Sequence, residues 1–215
     1  MNYVARIDDY HNAFALSLEE LNARNLHHVA GKSGAKILEE GGNVSLELLF
    51  IERLVRIELP EGKFSDLNSE DEIPIQEKVL ILHYLNRATG SKPNEDWIAY
   101  REVPDGSFYY AAFTGRAINP FKGTFGENSE ILRELAPILE GKPIPEGDIG
   151  FIFTPFPHIP IKYLLWKGDD EFPPEANILF DRTVQEYLSA EDIAWLAGMI
   201  VYRLMGLSRK IGKRQ

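Results

Sequence analysis

Apolar residues recur along this chain with two periods, and the switching between them predicts its elements. Residues 3–28 contain neither glycine nor proline. Within them Tyr3, Ile7, Tyr10, Ala13, Phe14, Leu16, Leu21 and Leu26 approximate a helical stripe, which predicts one long or broken helix ended by Gly31 and Gly34. Residues Asn43–Phe50 alternate apolar with polar through Val44, Leu46 and Leu48, and residues 54–59 repeat the alternation through Val55, Ile57 and Leu59. This predicts two strands joined by a turn or a bulge. Residues 58–72 carry Glu58, Glu61, Asp66, Glu70, Asp71 and Glu72 around Pro60 and Gly62, with few apolar positions, and read as an exposed loop.

Helical spacing returns at Ile75, Val79, Leu82 and Asn86, after Pro74 and before Gly90. Residues 97–103 read as a strand, Pro104-Asp105-Gly106 as a turn, and 108–113 as a second strand, so a β-hairpin is expected there. Glycines at 115, 123 and 126 with Asn119-Pro120 make 115–127 irregular or briefly helical. Ile131, Leu132, Leu135, Ile138 and Leu139 mark another helix, shortened or kinked by Pro137. Residues 148–154 form a further strand. At the C-terminal end Ser189 and Asp192 approximate a capping box, with Leu188 and Ile193 placed as a hydrophobic staple and Leu196, Ile200 and Leu204 continuing the apolar face.

The stretch 155–188 holds the densest mix of aromatic, proline and carboxylate residues. Ile159–Trp166 is an apolar run interrupted once, at Lys162, and suits a buried strand beginning near Pro160. Lys167-Gly168-Asp169 supplies a turn, Pro173-Pro174 continue the connection, and residues 176–181 form a second strand. Trp166, Phe172 and Phe180 are expected in one apolar cluster. Runs of consecutive strands flanked by helices predict an α+β fold: a single compact domain over 1–208, mainly antiparallel sheet, with an N-terminal long helix, two middle helices, a capped C-terminal helix and a basic tail over 209–215.

With 33 acidic and 23 basic residues among 215, the net charge of −10 opposes binding to nucleic acid, which depends on neutralising phosphates. The basic tail of Arg209, Lys210, Lys213 and Arg214 reads as a solvated end. Absence of cysteine removes disulfides, thiolate metal sites, cysteine nucleophiles and cysteine-ligated iron-sulfur clusters from this chain. The polar start MNYVARIDDYHN does not read as a secretory signal, and no apolar run approaches the roughly 18 residues that cross a bilayer. A cytoplasmic protein without nucleic-acid or membrane partners is expected.

Several patterns offer chemistry. Asp169 and Glu171, next to Asp170 in an acidic turn, with Asp181 as a distal ligand, are the candidates for a hard cation such as Mg²⁺ or Ca²⁺; since neighbours in an extended segment face opposite ways, the alternative is a turn-and-cap role, with Asp181 capping the next turn. His158, held between Pro157 and Pro160, is a candidate general base. The other histidines, His11, His27, His28 and His83, show no metal-ligand spacing, and His83 reads as a core residue. Arg101, Tyr109 and Arg116, among the aromatics Phe108, Tyr110 and Phe113, are candidates for gripping a planar or anionic ligand, with His158, Trp166 and Phe172 contributing from the central stretch. Nucleophile-elbow, phosphate-loop and dinucleotide-binding patterns are absent.

The chain also resembles an uncharacterised domain family of bacteria and archaea, many of them anaerobes, some of whose members are fused to an iron-sulfur-cluster module. The resemblance rests on Phe156-Pro157, Ile159-Pro160, Trp166, Gly168-Asp169, Glu171-Phe172-Pro173, Leu179-Phe180-Asp181, Tyr187-Leu188 and Glu191-Asp192, with Ser33-Gly34-Ala35, Leu82 to Leu85, Gly90 and the 106–113 stretch fitting the same picture. His158 is a departure, since arginine is commoner there. No activity comes with the resemblance. The residues lead to an accessory or ligand-binding protein with the 101–116 and 155–181 segments meeting around a pocket for a small molecule, and the resemblance implies cofactor, redox or one-carbon metabolism as its setting, with an iron-sulfur protein as partner. Two other readings stay open: a metal-dependent hydrolase using Asp169, Glu171, Asp181 and His158, and a protein-interaction subunit. Cofactor, oligomeric state and whether the protein is an enzyme are left undetermined.

Overall fold

A computed structural model describes residues 7–212, and the chain divides into two units, Met1–Lys92 and Pro93–Gln215. Both are α+β with antiparallel sheets, as the element pattern predicts. Tyr3 of the predicted first helix and Lys213 and Arg214 of the predicted tail lie outside the described residues.

The first unit contains α1 (Ile7–Asn22), α2 (Leu26–Ser33), β1 (Lys36–Glu40), β2 (Asn43–Phe50), β3 (Arg53–Leu59), β4 (Lys63–Asp66) and α3 (Ile75–Arg87). The long N-terminal helix is thus broken in two, because Asn25 adopts an extended conformation and its side chain caps the second helix at the His28 N–H. Strands β1 to β4 form a meander in chain order. Leu46, Leu48 and Phe50 of β2 and Val55, Ile57 and Leu59 of β3 bury one face of it, the alternation legible in the sequence. Part of the segment expected to be an exposed loop is instead β4, with Phe64 paired to Ile57 across the ladder. Helix α1 packs on α3, where Asn86 donates to the Ser17 carbonyl at 2.8 Å.

The second unit contains β5 (Trp97–Ala99), a 3-10 turn (Tyr100–Glu102), α4 (Gly106–Phe113), a π-helical turn (Thr114–Ile118), α5 (Asn119–Phe125), and then a short helical region with α6 (Leu132–Leu135) between 3-10 turns. It continues with β6 (Lys142–Ile144), β7 (Ile149–Phe156), β8 (Ile159–Trp166), β9 (Glu175–Asp181), a 3-10 turn (Arg182–Glu186) and α7 (Ala190–Gly212). The sheet order is β5-β9-β8-β7-β6, a meander of four strands with β5 added at its far edge. Phe151, Phe153, Ile161, Tyr163, Ile178 and Phe180 share one buried face. Tyr163 donates from its hydroxyl to the Ala197 carbonyl of α7 at 2.8 Å, and burial pushes that hydroxyl's pKa well above its ordinary value. Lys162, the interruption in β8, lies on the opposite face with its amine 4.3 Å from the centroid of the Trp97 ring and paired to Glu146.

The capping box at α7 forms as expected: the Asp192 N–H donates to Ser189 Oγ and the Ser189 N–H to Asp192 Oδ2, each at 3.2 Å. Leu188 and Ile193 are both buried. The helix continues through Arg209 and Lys210, so these two basic residues are helical rather than part of a tail.

The hairpin expected over 97–113 does not form. Only residues 97–99 are strand, and Gly106 opens a helix that runs with one widened turn to Phe125. Phe113, Ala117, Phe121 and Phe125, spaced by four, are all buried, so a helical stripe overrides the strand preference of the local aromatics. Gly106 is required at the start, since a Cβ there would sit 2.0 Å from the Tyr100 carbonyl oxygen. The widening has a covalent cause as well. Pro120 has no N–H to donate to the Arg116 carbonyl four residues back, and the Asn119 N–H bonds to Thr114 O, five residues back.

Candidate ligand site at the π turn

The widened turn faces α7. Gly198 permits the approach: a Cβ there would lie 3.1 Å from the Arg116 carbonyl oxygen, tighter than a side chain accepts without displacing its neighbour. One turn earlier on α7 stands Trp195, and the Arg116 guanidinium carbon lies over its ring at 4.7 Å from the centroid. Glu191 precedes Trp195 by four residues on the same helix face and is exposed. Below them Tyr100 is buried, stacked on Phe113 with ring centroids 4.2 Å apart and donating to the Ala190 carbonyl at 2.7 Å. Burial raises the Tyr100 hydroxyl's pKa far above its ordinary value. The nearby Arg116 charge pulls it down, and Tyr109 and Glu191 push it up.

Arg116 is the outlier of this arrangement. Its Nη1 is buried and has no hydrogen-bond partner, and it enters no ion pair among the described residues. A guanidinium is permanently charged, so a donor withdrawn from water and left unmatched costs about 1–3 kcal/mol, offset only in part by the indole face. On the same segment, Arg101 lies over the Tyr110 ring at 3.7 Å, and Phe108 and Tyr109 meet edge to face at 5.0 Å with Phe108 82% exposed.

Of the six ligand-binding candidates, Arg101, Tyr109 and Arg116 therefore belong to one block. The other three lie on other elements. His158, in the β7–β8 turn, sits with its ring 5.8 Å from Tyr187. Trp166 ends β8, eight residues long, so roughly 23 Å of strand separates it from the His158 end. Trp166 is 39% exposed and Phe172 67% exposed, whereas Phe180 is fully buried and pairs with Ile161 on the core face. The expected Trp166, Phe172 and Phe180 cluster is not formed.

Two of the three carboxylates proposed for a metal, Asp169 and Asp181, are taken up by donors close at hand, while Glu171 enters the turn through its backbone N–H. Asp169 Oδ1 accepts the N–H groups of Glu171 at 2.9 Å and Phe172 at 2.7 Å, which hold its carboxyl below the usual range. Asp181 is buried, with Oδ2 accepting from the N–H groups of Asn94 and Glu95 and Oδ1 from the N–H and hydroxyl of Thr183. Asp181 thereby caps the following 3-10 turn and anchors the chain entering β5. Among the described residues no three histidines or carboxylates assemble in a way that could hold a metal ion.

Sequence reasoning missed Glu191, Trp195 and Tyr100. The first two carry a signal, since positions 191, 195 and 198 fall on one helical face; that this face meets the π turn is legible only in three dimensions. A concavity of about 430 Å³ on the sheet of the first unit, lined by Leu38, Val44, Arg56 and Glu58 among others, is a weaker candidate, because Arg56 is held by Glu47 and Glu58 by Lys63.

Fold and site together describe an α+β protein that presents an unsatisfied arginine on an aromatic helix face. The chain belongs to the family described as a domain of unknown function, DUF3786, whose sequence model matches residues 25–203. No curated protein and no solved structure matches it. Among the described residues no helix is long and apolar enough to cross a membrane.

Proposed function

We propose that the protein is a ligand-binding module that takes a small anion, a carboxylate or a phosphate, on Arg116. The carrying observation is the buried Nη1 of Arg116 without a hydrogen-bond partner. Either anion supplies the paired acceptor oxygens that a guanidinium edge is shaped to grip, at roughly twice the strength of a neutral hydrogen bond. The indole of Trp195 then shields the contact and Tyr109 borders it. An accessory role in cofactor, redox or one-carbon metabolism, with an iron-sulfur protein as partner, is the setting supported by the resemblance to iron-sulfur-fused proteins. The hydrolase reading lacks comparable support, since four donors already occupy the oxygens of Asp181.

Thermal unfolding in sodium phosphate or sodium acetate, against sodium chloride at equal ionic strength, tests the proposal. The expected outcome is an anion-specific rise in Tm that the Arg116→Gln variant does not show. Equal Tm values in all three salts overturn it.

A further inference from the structure

Arg116 is not the only charge on this face without a protein partner among the described residues. Glu191 stands four residues, about 6 Å along the axis, before Trp195, whose ring carries the guanidinium. It has no ion-pair or hydrogen-bond partner among the described residues, and its side chain is exposed. Opposite charges this close, on one surface, ordinarily swing together when their stems allow it. Here the guanidinium lies over the half-buried indole of Trp195, and Glu191 stands in the first turn of α7 without pairing to it.

Resting on the anion-binding reading of Arg116, we infer that the ligand is a zwitterion, an α-amino acid or a molecule carrying that group, with its carboxylate on Arg116 and its ammonium on Glu191. An α-amino acid with a hydrogen bond of about 2.9 Å at each end spans roughly 7–8 Å between protein charges, the scale of one helical turn plus the offset of the ring. Its side chain would leave toward the aromatic border of Tyr109 and Phe108, whose rings already pack edge to face. The arrangement also explains how a chain of net charge −10 selects a carboxylate: the ammonium offsets the repulsion that a simple anion meets.

Isothermal titration of the intact protein with L-phenylalanine and with 3-phenylpropionate, the same molecule without the ammonium, tests the inference. Phenylalanine is expected to bind about fivefold or more tightly, the worth of an exposed charge pair. Glu191→Gln should abolish that difference without weakening phenylpropionate binding, and Arg116→Gln should remove binding of both. If phenylpropionate binds as tightly as phenylalanine through Arg116, or if Glu191→Gln weakens both probes alike, the zwitterion assignment is overturned and the anion site stands. Binding of either probe that survives Arg116→Gln, or no binding at all, overturns both. Matching melting curves for the three proteins separate these results from misfolding.

Discussion

Arg53 and Arg56 of the first unit and Arg116 of the second are used in opposite ways. Arg53 of β3 reaches Asp66 at 3.5 Å and Glu77 of α3 at 3.4 Å, and Arg56 grips Glu47 at 2.6 and 3.1 Å. Each of these cations sits where a strand partner or a packed helix supplies its carboxylate. Arg116 is placed by a distorted helical turn, against a glycine, with an indole for company and no carboxylate. The difference teaches how to separate the two roles by charge alone: a satisfied arginine stitches elements together, while an unsatisfied one is a cost to the fold that a ligand can reverse. The predictions that follow probe this contrast from the strongest effect to the weakest.

The helix that presents Arg116 is held by its buried stripe. Phe121 packs against Tyr163 at 5.5 Å and Phe125 at 5.7 Å. Phe121→Ala should therefore cost about 3–5 kcal/mol, a large share of the roughly 5–15 kcal/mol available to a domain. A denaturant melt measures this; a loss below about 1 kcal/mol would mean the stripe does not anchor the π turn.

Arg53→Ala comes next. It removes the cation beside Asp66, with only 3% of its side chain exposed, and beside Glu77, with 12% exposed, so a loss of about 2–3 kcal/mol is expected, toward the lower end for a buried pair because Arg53 itself is one-fifth exposed and Asp66 keeps the Asn68 N–H. No change in the response to phosphate or acetate should accompany it. Altered anion affinity in this variant would break the proposed division of roles.

Gly198→Ala should have a smaller effect on the fold, roughly 1 kcal/mol, since the added methyl meets the Arg116 carbonyl at a distance that a small backbone shift relieves. The shift moves the guanidinium relative to Trp195, so anion binding should weaken several-fold. Titrating the variant with sodium acetate checks this; full affinity would show that the close crossing does not aim the side chain.

How much of this was legible in the chain follows from where the signals lie. The capped start of α7, the alternating β2 and β3 and the apolar β8 were readable because each pattern is continuous and flanked by its own cap or turn. Helices α4 and α5 were not. Their stripe through Phe113, Ala117, Phe121 and Phe125 straddles Gly115, Pro120 and Gly123, residues that locally argue against a helix, while Phe108, Tyr109 and Tyr110 argue for a strand. Strands β1, β4 and β6 sit at sheet edges, and the sequence announces edges weakly. Arg101, Tyr109 and Arg116 could be singled out because arginine among aromatics is a chemical pattern visible in one segment. Glu191 could not be joined to them, since only the crossing at Gly198 brings α7 to the turn. Asp181 looked like a ligand for the same reason that it caps well, a carboxylate at the end of an apolar strand, and its four donors come partly from distant residues Asn94 and Glu95.

The smallest effect on stability is the most informative. Arg116→Gln removes a permanent charge whose Nη1 has no partner to lose, so the fold gives up only the contact with Trp195 and sheds a desolvation cost of comparable size. Stability should therefore stay within about 0.5 kcal/mol of the parent in denaturant melts, while the anion-dependent rise in Tm disappears. Arg53→Ala is expected to do the reverse, unsettling the fold and sparing the anion response. A loss of 2 kcal/mol or more in Arg116→Gln would mean that the guanidinium is a structural cation like Arg53, bound to its surroundings through the indole, and the case for a ligand at the π turn would fall with it.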